Sequence, residues 1–278
     1  MVHVNPLSPV SSAATRAALA PQVAVVAIEM GYGHLRPARS LARELNVEIL
    51  HTDRPPLADA EEQRRWAATR RFYESVSRVS GIPWLGPPLR GLLNSITDIP
   101  NLYPFRDLSG ATFGVKVLER SARQGLGRSI VSYLRARELA LLTTFYSPAV
   151  LADYHGYDRI FCVVTDSDVN RVWAPIRPKI SKIRYLAPSG RVVRRLQAYG
   201  VPESQIELTG FPLPHSLVGG PEATVLRKNL LPRLARLDPT QAFRQAFAAD
   251  LEHVGKCPRR TNRHTSCLRW VVRARKPS

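Results

Sequence analysis

Cysteine is scarce in this 278-residue chain. The three present, Cys162, Cys257 and Cys267, make no disulfide framework, which points to a reducing compartment and a fold held by its own core. Lysine is scarce too. Of 40 basic residues only six are lysine (116, 179, 182, 228, 256 and 276), so arginine carries the formal charge of +18. Long hydrophobic runs are missing: none reaches the ~18 apolar residues of a membrane-spanning helix. The first 20 residues contain no acid, and no basic stretch followed by an apolar one. Residues 1–21 therefore read as a flexible tail and not as a signal peptide. No internal repeat is present. The excess of arginine fits a solvated basic surface, or contact with an anionic membrane surface or a phosphorylated substrate. Nucleic acid is not indicated, because no recognition motif for it occurs.

With 44% hydrophobic residues the chain can bury a substantial core. Its organising stretch lies near the start. Val23-Ala-Val-Val-Ala-Ile28 is a continuous apolar run, as expected of a buried strand in a parallel sheet. Gly31 and Gly33 follow within three residues. Leu35, Ala38, Leu41, Ala42 and Leu45 then recur at helical spacing, with Pro37 suited to a first turn. Strand, glycine turn and helix place Gly31, Gly33 and His34 where a strand's carboxyl end meets a helix's amino end. Open α/β sheets bind ligands there.

Further strands are expected over 46–52, 139–144, 159–166, 183–189 and 206–212, and helices over 58–79, 115–137, 148–154 and 190–199. Ser147 and Ser189 suit N-caps, and Gly200 a stop. The alternation predicts an α/β fold with a single Rossmann-like parallel sheet. Asp166 and Asp168 end a strand and share the sheet edge with His34. Either could orient His34, hold a substrate hydroxyl or cap the next turn. Gly31-x-Gly33 also begins a dinucleotide fingerprint, with Asp53 near the ribose-binding position, although Arg36 stands at the third glycine.

Residues 64–106 interleave arginines with aromatic and proline-rich apolar sequence. Arg64, Arg65, Trp66, Arg70, Arg71, Trp84 and Leu85 form a candidate membrane patch, with arginines on lipid phosphates and aromatics at headgroup depth. The alternative is an irregular insertion packed on its own sheet.

Four segments, in order, carry a resemblance to a family. Gly31-Tyr-Gly-His34 resembles the glycine-rich histidine loop of the monogalactosyldiacylglycerol synthase and processive diacylglycerol glucosyltransferase family. Val163-Val-Thr-Asp166 with Trp173 resembles its Val-Thr-Asp…Trp segment. Tyr185-Leu-Ala-Pro-Ser189, Tyr199-Gly-Val201 and Ile206-Glu-Leu-Thr-Gly-Phe-Pro212 are similar to its closing segments. The chain departs from the pattern at Met30, where a glycine is usual, and at Asn170, where many members have histidine. The resemblance implies the amino-terminal, acceptor-binding domain of a type B glycosyltransferase. It implies His34 as general base with Asp166, and Gly31, Gly33, Asp168, Asn170 and Trp173 as acceptor-binding. It also implies no metal or other cofactor, a nucleotide sugar such as a UDP-sugar as donor substrate, and a lipid or lipid-linked acceptor. The localisation implied is cytoplasmic, peripheral on the inner membrane face. Two other readings stay open: a non-catalytic membrane- or partner-binding module, and a fragment of a nucleotide-sugar epimerase.

The expected domain is residues 22–216. Residues 217–252 read as a helical linker or the start of a second domain. Residues 253–278 are expected to be a disordered basic tail, with eight Lys/Arg and no acid after Glu252. His253, Cys257, His264 and Cys267 match no common zinc spacing. A shifted reading frame offers another account. Trp270 is always TGG and Val271 begins GT, so the junction reads glycine. With G at the other third positions, Leu268 to Arg275 becomes Ala-Val-Gly-Gly-Ala-Gly-Ala, a glycine-rich loop suited to a nucleotide-sugar domain. On that expectation the product is truncated and inactive alone, and the coding DNA decides between the accounts.

Overall fold

A computed structural model of the chain describes residues 22–29, 32–80, 98–101, 107–220, 224–226, 228–229, 237–238, 240–246 and 248–249, with only the backbone for 72–80 and 215. The expectations for residues 1–21 and 253–278, and for Met30, Gly31, Trp84 and Leu85, lie outside the described residues.

Six strands form one all-parallel sheet. They are β1 (Val23–Ala27), β2 (Ile49–His51), β3 (Ala140–Thr143), β4 (Ile160–Val163), β5 (Ile183–Ala187) and β6 (Ile206–Leu208), in the spatial order β2-β1-β3-β4-β5-β6. The register sets Val25 beside Ile49 on one side and Leu142 on the other. The described helices are α1 (Tyr32–Leu45), α2 (Ala60–Ser80), α3 (Phe113–Arg123), α4 (Arg128–Ala136), α5 (Tyr146–Tyr154), α6 (Gly190–Ala198), α7 (His215–Val218) and α8 (Ala242–Ala246). This is the expected α/β, Rossmann-like layout.

The strand period of two sorts β1 between two cores. Ala24 and Val26 join Leu141, Ile160, Cys162, Ile183 and Tyr185 beneath residues of α3 to α6, among them Ile130, Leu134, Ala149 and Leu196. Val23, Val25 and Ala27 join Leu142, Val163 and Leu186 beneath α1, whose Leu35, Ala38, Leu41, Ala42 and Leu45 are all buried. Each fully buried leucine contributes about 1.5–3 kcal/mol relative to exposure. Because β1, β3 and β4 are covered on both faces, they read as unbroken apolar runs.

Three expectations are corrected. The single helix expected over 115–137 is two, because the chain turns a corner at Gly125 and Gly127, with φ of 102° and 89°. Ser147 does not cap α5. The helix begins two residues earlier than expected, at Tyr146, its N-cap is Phe145, and the Ser147 hydroxyl is buried without a partner. Pro37 lies not in the first turn of α1 but at its sixth residue, where a proline cannot donate to the Gly33 carbonyl. Ser189 caps α6 as expected, its Oγ accepting from the Val192 N–H at 3.4 Å. Gly200, with φ of 89°, ends that helix. There the Val201 N–H donates to the Leu196 carbonyl at 3.0 Å and the Gly200 N–H to that of Gln197 at 2.8 Å, a Schellman closure.

Candidate functional site

The strand order reverses at β1. The chain goes from β1 outward to β2 and then returns to the other side as β3. Crevices at such reversals, beyond the carboxyl ends of the strands, are the ligand sites of open α/β sheets. Three segments meet there: the start of α1 with Gly33 and His34, Thr144 and Phe145 after β3, and Thr165 and Asp166 after β4.

His34 is the hub. Its Nδ1 lies 2.6 Å from the Thr165 Oγ1. The Thr144 hydroxyl donates to the His34 carbonyl at 2.8 Å, and the Thr165 hydroxyl to the Thr144 carbonyl at 3.4 Å. The imidazole meets the Phe145 ring edge-on, with centroids 4.6 Å apart, and Trp173 lies 6.3 Å away. Burial lowers the pKa of His34 below the ordinary imidazole value, with the Asp166 carboxylate and the Thr144 carbonyl pulling in the opposite sense. Burial raises Asp166 above the usual carboxylate range, and the nearby His34 offsets part of that rise. A neutral imidazole beside a carboxylate is a competent proton acceptor near neutral pH.

The loop after β4 is fixed from beneath. Arg195, 1% exposed, makes two parallel hydrogen bonds to Asp168, Nε to Oδ1 at 2.8 Å and Nη2 to Oδ2 at 2.9 Å, and also bonds the Pro100 carbonyl. Arg191 adds a third at 2.7 Å. Burial works against the Asp168 charge, yet these bonds and that from the Val169 N–H hold its carboxyl down at about 2. The Tyr199 hydroxyl donates to the Val169 carbonyl at 2.8 Å, and that of Tyr185 to the Trp173 carbonyl at 2.7 Å. Arg171 is 3% exposed and gives its guanidinium hydrogens to the carbonyls of Ser109, Ala174 and Pro175. These hydrogen bonds tie the backbone on either side of Trp173, and the segment that follows Asp166, to the rest of the fold.

The candidate residues thus divide. His34, Asp166 and Trp173 come together with Gly33 at one sheet edge. Asp168 has its carboxylate taken up by Arg195 and Arg191, which makes it an anchor of the loop. Asn170 precedes the short 3-10 turn Arg171–Trp173, with its Oδ1 buried and unpartnered. The residues that spacing did not single out are Thr144, Phe145 and Thr165. Thr165 stands inside the Val163-Val-Thr-Asp166 segment, and its position there is the signal that could have found it.

The membrane patch is corrected at Trp66. This side chain is 7% exposed and packs in a cluster with Ile28, Ala58, Leu126, Phe145 and Leu151, so it backs the wall of the site and cannot reach lipid. Arg65 pairs with Glu61 at 2.6 Å and Arg70 with Asp53 at 3.4 Å, while Arg64 and Arg71 are exposed. A tighter basic feature lies on α1. Tyr32, 82% exposed, and the exposed Arg36, Arg39 and Arg43 fall within an arc of about 60° opposite the buried face. None of these three arginines has a carboxylate partner among the described residues.

Among the described residues no helix is long and apolar enough to cross a membrane, and no group of three or more His, Cys, Asp or Glu is placed to hold a metal ion. Comparison with family models, with curated proteins and with solved structures gives no match to the chain. The class that geometry defines is an α/β protein with one six-stranded, all-parallel, Rossmann-like sheet and a histidine–aspartate pair at its strand-order reversal.

Proposed function

We propose that this chain is the acceptor-binding domain of a nucleotide-sugar-dependent glycosyltransferase that transfers a hexosyl group to a lipid or lipid-linked hydroxyl. The observation that carries the reading is the placement of His34. It is a half-buried imidazole with a lowered pKa, held by Thr165 beside Asp166 at the one sheet edge where two successive connections part. In the reaction the acceptor hydroxyl gives its proton to His34 as its oxygen bonds the sugar's anomeric carbon. The bond from that carbon to the diphosphate breaks, and its electron pair leaves with the nucleotide. Asp166 stabilises the imidazolium so formed. The donor is a UDP-sugar bound as substrate by a second domain of the type B architecture.

The acceptor's solubility points to a membrane surface. The arginine stripe on α1 begins at Tyr32, two residues from His34, and suits anionic headgroups with the site turned toward them. A non-catalytic membrane module would share that stripe but gives the His34–Asp166 pair no task. The test is transfer of radiolabelled hexose from UDP-hexose into organic-extractable lipid, with the chain expressed from its complete coding unit. His34→Ala is expected to lower turnover by about 10²–10⁴-fold, the usual worth of a general base. Turnover indifferent to that change would remove His34 from the mechanism.

A further inference from the structure

We propose that Thr165 fixes the tautomer of His34, putting the hydrogen on Nδ1 and leaving the Nε2 lone pair as the proton acceptor. Its catalytic meaning rests on the base reading above, while the tautomer itself does not.

The assignment follows from counting hydrogens. A threonine hydroxyl has one hydrogen to give and lone pairs to receive. The Thr144 carbonyl can only accept, and the Thr165 Oγ1 is its donor at 3.4 Å. Only one placement of the hydrogens uses both contacts: Thr165 gives its hydrogen to the Thr144 carbonyl and meets the imidazole as an acceptor, so the Nδ1 atom 2.6 Å away carries the ring hydrogen, whereas a hydroxyl turned to Nδ1 would leave the carbonyl contact empty. The Thr144 hydroxyl is also committed, donating to the His34 carbonyl at 2.8 Å. The three contacts close a ring. His34 gives Nδ1–H to Thr165, Thr165 gives O–H to the Thr144 carbonyl, and Thr144 gives O–H to the His34 carbonyl. The edge-on Phe145 ring restricts rotation that would break the arrangement.

Asp166 acts on His34 through its charge and makes no hydrogen bond to the ring among the described residues. The orienting task that a carboxylate performs in hydrolytic triads therefore falls here to a neutral hydroxyl. The neutral partner adds no charge of its own, and burial outweighs the Asp166 carboxylate in keeping the ring below the ordinary imidazole value. When the acceptor hydroxyl transfers its proton to Nε2, the Nδ1–H stays on Thr165 and the new positive charge lies next to Asp166. Thr165 is thus a positioning residue.

The test is nitrogen NMR of the full chain labelled in its seven histidines, with the His34 signals assigned by their loss in His34→Gln. The expected spectrum shows Nδ1 as the hydrogen-bearing and Nε2 as the bare ring nitrogen. Thr165→Val, which keeps the shape and removes the hydroxyl, is expected to shift His34 toward the Nε2–H form that free imidazole side chains prefer. Thr165→Ser is expected to restore Nδ1–H. An Nε2–H form in the unaltered protein overturns the proposal by itself, even if Thr165→Val fails to fold. So does an Nδ1–H form that persists unchanged in a folded Thr165→Val. A correct tautomer in a protein whose turnover ignores His34→Ala supports the proposal and sinks only the base reading.

Discussion

His34 and Asp166 titrate in opposite directions from their ordinary values, and the signs can be carried into rate and stability. Burial lowers His34 from 6.5, so the imidazole is unprotonated at neutral pH, as the proposed role of base requires. The rate of transfer should rise with pH along a limb that ends on the acid side of neutrality and stay flat above it. A limb centred well above 6.5 would contradict the lowered value. For stability, the unfolded chain takes up a proton at His34 at higher pH than the folded one, so the fold weakens as pH falls through that range. Asp166 is raised by burial, so its contribution is present at acid pH and is lost as pH rises through its folded value. Asp168 behaves in the ordinary carboxylate manner. Held at about 2 against 3.8 when free, it stabilises fully above the unfolded value and less as pH falls toward 2. Replacing its partner by Arg195→Met leaves that carboxylate confined without its bidentate partner. The cost should be about 3 kcal/mol or more by urea denaturation, and a change within 0.5 kcal/mol would show that the pair is not an anchor.

At the scale of the elements, the strands were legible because sheets covered on both faces leave unbroken apolar runs, as in Val23–Ala27 and Ile160–Val163. Helix ends were less so. Asn46 and Glu138 close α1 and α4 in left-handed backbone, both with φ of 53°, and neither is the glycine that advertises such a turn. Gly125 and Gly127 did advertise one, but the apolar period on both sides hid the corner between α3 and α4. That corner is held from a distance. Glu62, on α2, accepts from the Gly127 N–H at 3.2 Å and the Ser129 N–H at 2.9 Å, capping α4 with a carboxylate 65 residues away in sequence. A Cβ at Gly127 would lie 2.7 Å from the Cβ of Leu151. Gly127→Ala should therefore cost at least about 2 kcal/mol, from the overlap and the left-handed backbone together. Glu138→Gly should do the reverse, raising stability by about 0.5–1 kcal/mol as the strain is released. Unchanged urea midpoints would refute either. The same spacing logic explains Trp66: Glu62 and Trp66, four residues apart on α2, both face inward, as does Ala58 just before the helix. An arginine–aromatic alternation on a helix does not say which side is buried.

For the whole molecule, the candidate site was legible where it lies next to strand ends, as at His34 and Asp166. It was invisible where it depends on contacts between distant segments, as at Thr165 and Thr144. The net charge of +18 says little about where an anionic surface would bind, and the stripe of Arg36, Arg39 and Arg43 says more. With about 1 kcal/mol per surface arginine, neutralising all three with glutamine should weaken binding to anionic vesicles by on the order of 10²-fold. Salt at 1 M, where charges are screened within about 3 Å, should do the same to the unaltered chain. Equal binding to neutral vesicles would remove the stripe from the account. The central claim is that the edge holding His34 and Asp166 receives the acceptor lipid. Its most direct test is to titrate the histidine-labelled chain with detergent micelles carrying either diacylglycerol or a polyprenyl-diphosphate sugar, against empty micelles. The account predicts that one of the two lipids shifts the His34 signal saturably while His51 and His155 stay where empty micelles leave them. A His34 signal that neither lipid moves beyond the effect of empty micelles would contradict it.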